Sequence, residues 1–203
     1  MGGNSPPQRG EARSFFEKMS GRQPDQINFD YLTTVKKILV VYYSRTGITK
    51  KLALYLADKL SCDIEEIFSA VDRRGAKGWA LSGQEATEKT LTDIKPTVKN
   101  PADYDLIIIG TPIWSFNVAS PVRTYLSQNK DKFKKVAFFC TEAGVGHQRA
   151  FKEMATLYGQ QPVATLVLKS ATTLSLGFVQ KEILDQEGIA KTNNFIKIIS
   201  NLT

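Results

Sequence analysis

Three segments of this chain are apolar almost without interruption: "KILVVYYS" (37–44), "YDLIIIGTP" (104–112) and "KKVAFFCTE" (134–142). A strand with one face in water alternates apolar and polar residues. A run that does not alternate reads as a strand buried on both faces, as in parallel sheets covered by helices. The intervening segments supply those helices. Ile48, Leu52, Tyr55, Leu56 and Leu60 fall at helical spacing. A helix is expected around Trp79 to Thr90, with a stop at Pro96. "SPVRTYLSQ" reads as a helix with Ser120 as N-cap and Pro121 at the first helical position. "HQRAFKEMATLYG" reads as a helix ending at Gly159. "CDIEEIF" is a more polar edge strand, and "PVATLVLKS" the last strand. Phe195, Ile199 and Leu202 are in phase for a closing helix. Five strands alternating with helices predict an α/β fold, a parallel sheet with helices on both faces.

In such sheets ligands bind beyond the carboxyl ends of the strands, so the turns there carry the functional information. The first is Ser44-Arg45-Thr46-Gly47-Ile48-Thr49. Backbone N–H groups at a helix start are unsatisfied and partly positive, which suits a phosphate. Ser44, Thr46 and Thr49 add hydroxyls, and Gly47 permits close backbone approach. A P-loop would need G-x-x-x-x-G-K-[ST], and a dinucleotide fingerprint G-x-G-x-x-G; both are absent. A phospho-receiver domain would need an aspartate where the third strand ends in Gly110-Thr111.

Ser-x-Thr-Gly-x-Thr after a first buried strand resembles the phosphate signature of the flavodoxin family, and the resemblance runs from about Lys36 to Thr203. "GTPIWSFNVASPVR" (110–123) is similar to the family's loop over one face of the flavin ring, and "CTEAGVGHQRAF" (140–151) to the loop along its polar edge. The resemblance implies a flavodoxin-like three-layer sandwich of the short-chain type, with sheet order 2-1-3-4-5 and FMN as cofactor. By the same resemblance Ser44, Arg45, Thr46, Gly47, Ile48 and Thr49 hold the phosphate. Thr111, Pro112, Ile113, Trp114, Ser115 and Phe116 flank the isoalloxazine, with Trp114 stacking on it. Thr141, Glu142, Ala143, Gly144, Val145, Gly146 and His147 present backbone donors to the pyrimidine edge. No metal site is expected.

Two features depart from the electron carriers of that family. Carriers usually place glycine after the loop aromatic, because a peptide there turns to hydrogen-bond the half-reduced flavin; here Ser115 follows Trp114. Carriers are also usually acidic, whereas this chain has a net charge of +7. The departures favour two-electron work, from NADH or NADPH to a quinone or similar acceptor, over one-electron service to a redox protein. His147, the sole histidine, is the candidate to donate a proton or polarise a carbonyl. Arg73 and Arg74 are candidates for an anionic substrate or a nicotinamide phosphate.

The net charge of +7 is unevenly placed along the chain. The acids and bases of residues 1–34 cancel, so the excess lies in residues 35–203. Those cations are scattered without aromatic interleaving, and nucleic-acid binding is not expected. No apolar run reaches the ~18–20 residues of a membrane span, and no secretory leader is evident, so a cytoplasmic protein is expected. Residues 1–34 read as a polar extension ahead of a domain at 35–203, with a turn of helix at Phe15, Phe16 and Met19 and a short strand at Ile27, Phe29 and Tyr31. Such an arm could pack on a second copy in a homodimer. Cys62 and Cys140 are expected three strand spacings apart, roughly 14 Å, too far for a disulfide.

Overall fold

A computed structural model describes residues 36–174, 177–180 and 182–202. The expectations for residues 1–34, including the arm's contact with a second copy, lie outside the described residues. From Lys36 the chain alternates as its periodicity predicts. Strand β1 (Ile38–Tyr42) leads to helix α1 (Ile48–Leu60), then β2 (Asp63–Glu66) and α2 (Gly75–Glu88). Strand β3 (Leu106–Trp114) turns into the two-residue β4 (Asn117–Val118), followed by α3 (Ser120–Asn129). Strand β5 (Val136–Glu142), α4 (His147–Tyr158) and β6 (Thr165–Lys169) complete the sheet. A hairpin of β7 (Ala171–Leu174) and β8 (Gly177–Gln180) precedes α5 (Gln186–Leu202).

The five parallel strands stand in the order β2-β1-β3-β5-β6, which is the expected 2-1-3-4-5 when only those strands are counted. Each buried strand divides its side chains between two cores. Leu39, Val41, Ile107, Ile109 and Phe138 face α3 and α4, meeting Val122, Leu126 and Met154. Val40, Tyr42, Ile108, Ala137 and Phe139 face α1 and α5, meeting Leu52, Leu56, Phe195 and Ile199. The runs lack alternation because each face of the sheet has its own helical layer.

Several local expectations are corrected. Helix α3 has Ala119 as its N-cap with no side-chain cap, because the Ser120 hydroxyl donates to Glu85 instead. Leu202 stays substantially exposed while Phe195 and Ile199 are buried. The β7–β8 hairpin and β4 were not expected; β4 is too short for a periodic signal. Among the described residues, no helix is long and apolar enough to cross a membrane.

Gly110 shows how tightly the sheet meets its neighbour. A Cβ there would lie 2.0 Å from Cζ of Phe139, whose ring is fully buried. Gly110→Ala should therefore destabilise the fold by about 1–3 kcal/mol, read as a lower denaturation midpoint; a midpoint equal to the native protein's would show that the ring yields. Cys62 and Cys140 are both free. Burial, with Asp63 adding to it, pushes the Cys62 thiol up to about 11. Burial likewise raises Cys140. Both thiols should alkylate slowly in the native protein near neutral pH and promptly in denaturant, whereas fast native labelling would contradict the packing.

Candidate functional site

The turn after β1 is shaped by its own residues. Gly47 adopts φ 88, a left-handed conformation open to glycine, and its N–H donates to Ser44 Oγ at 3.1 Å. No side chain caps α1. Its first closing bond is the donation of Lys51 N–H to the Gly47 carbonyl at 2.9 Å. The amides ahead of Lys51 therefore form an uncapped, partly positive helix start. Arg45 Nε, from the same turn, is enclosed with no partner among the described residues. An uncapped helix start, the exposed hydroxyl of Thr46 and an unmatched guanidinium nitrogen fit an anionic group such as a phosphate.

The three loops singled out from sequence come together. Thr49 Oγ1 and Thr141 Oγ1 lie 2.8 Å apart, both buried, and join the first loop to the third. Gly146, at φ 132, joins the third to the second: a Cβ there would lie 2.8 Å from both Ile113 Cγ2 and Phe116 Cα. The N–H groups of Ala143, Gly144, Val145 and Gly146 have no backbone or side-chain acceptor among the described residues. They remain donors for a ligand edge. Val145 and Phe116 are exposed at the rim.

Other predicted site residues are committed within the protein. Thr111 is fully buried; its hydroxyl donates to the Pro112 carbonyl at 2.8 Å and accepts from Ala119 N–H at 3.1 Å, anchoring the start of α3. The buried Glu142 carboxylate accepts from His147 N–H at 3.0 Å and meets His147 Nδ1 at 2.9 Å. The His147 amide, expected as a ligand donor, is thus taken. A carboxylate can only accept, so Nδ1 carries the proton and Nε2 is the nitrogen left for other chemistry.

The second loop is a hairpin. Trp114 pairs with Asn117 across a two-residue turn in which Ser115 (φ 46) and Phe116 (φ 63) are both left-handed. This pattern belongs to type I′ turns, which usually contain Asn and Gly. A non-glycine residue in that region costs ~1–2 kcal/mol. Asn117, 1% exposed, holds the turn by donating from Nδ2 to the Ser115 carbonyl at 2.5 Å.

Trp114 is supported by residues that sequence reasoning assigned elsewhere or missed. The Arg73 guanidinium lies 5.6 Å from the centre of the indole ring, and Tyr43 packs edge-on at 5.5 Å. Burial raises the Tyr43 hydroxyl, an effect opposed by the charges of Arg73 and Arg45. Arg73, a ligand candidate by sequence, is instead buried and committed to protein partners. Its side chain is 2% exposed and donates to Ser69 (3.0 Å), Glu85 (2.5 Å) and Thr92 (2.8 Å). Arg74 is exposed and bound to Asp72 at 2.8 Å. The missed signal was the small-residue ladder Gly78, Ser82, Ala86, the buried face of α2. A Cβ on Gly78 would lie 2.1 Å from the Arg73 carbonyl carbon, so the helix packs directly on that backbone.

A family model described as flavodoxin matches residues 37–174. The flavoprotein of Lactobacillus acidophilus NCFM, solved in complex with FMN, is 27% identical with a TM-score of 0.59, over 66% of this chain and 93% of that one. The apo form of the flavoprotein from that organism gives 28% and 0.55, over 66% and 93%. Oxidised flavodoxin 2 from Bacillus cereus gives 17% and 0.53, over 82% and 99%, a likeness of fold alone.

Arg73→Met should destabilise the protein by about 3–5 kcal/mol, since it leaves the Glu85 carboxylate in a largely buried site without its cation. Denaturant titration measures this; a loss below about 1 kcal/mol would mean that Glu85 finds another partner.

Proposed function

The chain belongs to the flavodoxin family, and on that premise we propose that it binds FMN between its three loops and serves as an oxidoreductase passing two electrons from a nicotinamide cofactor to a quinone or similar acceptor. FMN, when bound, supplies the redox chemistry, and the protein supplies position and electrostatics. The phosphate would lie on Ser44 to Thr49, where the uncapped start of α1 and the unpartnered Arg45 Nε suit it. Trp114, Ser115 and Phe116 would flank the ring, and the unpaired amides of Ala143 to Gly146 would meet its polar edge. Donors at that edge stabilise negative charge on the reduced ring.

The observation that carries the two-electron reading is the pinned Ser115 carbonyl. Turning that peptide would break its bond to Asn117 and leave a buried amide unpaired, at a cost of about 1–3 kcal/mol. The Oδ1 atom of Asn117 already has no partner among the described residues. A turn held this way favours passage of electrons in pairs. His147 Nε2, with Nδ1 oriented by Glu142, is the group available to hold or deliver a proton.

One feature favours a second reading. Phe116 and Val145 are 56% and 63% exposed beside the loops. An apolar rim of that kind suits a docked redox protein, in which case the chain is a one-electron carrier.

Anaerobic reductive titration of the FMN-loaded protein separates the two. The absorbance should pass from oxidised to fully reduced flavin without a long-wavelength band midway, and Asn117→Ala, which removes the bond to the Ser115 carbonyl, should introduce that band. A strong band in the native protein would establish the carrier. Thr46→Ala should weaken FMN binding by roughly fivefold, one hydroxyl contact being removed; unchanged affinity would displace the phosphate from this turn.

A further inference from the structure

The nicotinamide donor proposed above carries phosphates; of the two arginines that the sequence offered for them, Arg73 is buried against Glu85 and Arg74 is paired with Asp72 at the surface. Three other cations have no ion-pair partner among the described residues. A cleft of about 490 Å³ opens between the C-terminal end of α2, α3 and α4, within the size range of small-molecule sites. Arg123 and Glu153 form its inner wall, joined at 2.6 Å, with side chains 2% and 10% exposed. The other Arg123 nitrogens donate to the carbonyls of Glu85, Thr90, Ala86 and Val118. That pair is held rigidly and its charges cancel. Lys89, Arg149 and Lys152 also line the cleft and have no carboxylate partner among the described residues, so it is cationic.

Two further features narrow the ligand. Leu91 and Leu157 add apolar surface to the same walls, with Leu91 60% exposed. The second carboxylate oxygen of Glu153 is enclosed without a partner among the described residues. It is a spare acceptor in a wall otherwise rich in donors. A bare inorganic anion would use only the cations. A nucleotide uses all three features: phosphate oxygens on Lys and Arg, a flat base against leucine, and hydroxyl or amino donors for the acid.

The geometry points to this cleft as the seat of the adenosine-phosphate end of a phosphorylated nicotinamide dinucleotide, an assignment that rests on the nicotinamide-donor reading. Lys89, Arg149 and Lys152 hold the phosphates. Arg149 lies in the first turn of α4, three residues beyond Gly146 of the third loop. The Arg149 side of the cleft is therefore offset from the third loop by about 4.5 Å of helical rise, and reaching the flavin from there is what the dinucleotide's length must supply. The cationic wall selects NADPH over NADH, because the extra phosphate of NADPH would find no carboxylate but the one already neutralised by Arg123.

Calorimetry of the full-length, FMN-loaded protein with adenosine 2′,5′-bisphosphate tests the assignment. Saturable binding is expected, weakened about tenfold or more by R149E combined with K152E. Lys89→Ala, at an exposed helix end, should weaken it by a smaller factor and serves if the double variant fails to fold. Absence of binding, equal affinity in the variants, or equally tight binding of inorganic phosphate would overturn the assignment. Steady-state kinetics separate it from the donor reading: the variants should raise KM for NADPH more than KM for NADH, with kcat little altered. If NADPH reduces the flavin and the variants leave its KM unchanged, the cleft is not the donor's seat. If the bisphosphate binds here but neither nicotinamide cofactor reduces the flavin, the donor reading fails and the cleft remains a nucleotide site.

Discussion

The structure depends on one constraint: three adjacent strands, β1, β3 and β5, that are apolar on both faces. Such strands hydrogen-bond to one another laterally and need an apolar layer above and below. The chain meets this with α3 and α4 on one side and α1 and α5 on the other. Parallel strands must be joined by crossovers, so the helices that follow β1, β3 and β5 begin near the same edge of the sheet. The three loops meet there as a consequence of burial, before any ligand is considered. Thr49 with Thr141, and Gly146 with Ile113 and Phe116, are the contacts that join them.

Behind that edge lies a polar layer that the apolar pattern does not announce. Helix α2 buries small residues rather than large ones, and the space they leave is filled by Arg73. Its guanidinium is neutralised by Glu85, which also accepts from Ser120, so one carboxylate ties α2 to the start of α3. A buried ion pair of this kind adds little net stability compared with apolar packing. Here its contribution is positional: it places a fixed positive charge against the Trp114 ring. The strained Ser115–Phe116 turn follows directly on that ring, and strain of this sort persists where surrounding contacts over-determine the backbone.

The sequence was most legible where one physical signal dominated. Five parallel strands, their order, the left-handed C-cap at Gly159 and the three loops were readable from apolar runs, helical phase, a lone glycine and family resemblance. It was least legible where a residue could serve two partners. Arg73 looks the same in sequence whether it binds a ligand or Glu85. Ser120 is as plausible an N-cap as a donor to a distant carboxylate. Thr111 lies in a loop that the sequence offers to a ligand, yet its hydroxyl anchors α3. The β4 hairpin escaped notice because Ser-Phe is an unusual pair for a turn with two positive φ angles.

The central claim is that the uncapped start of α1 and its hydroxyl-rich turn hold a flavin by its phosphate. Titrating the flavin-free protein with FMN and with riboflavin, which differ only in that phosphate, tests it most directly. The account predicts FMN tighter by a hundredfold or more, about 2.7 kcal/mol or above, with the difference shrinking as salt rises. Equal affinity for the two flavins, or no affinity for either, would contradict it.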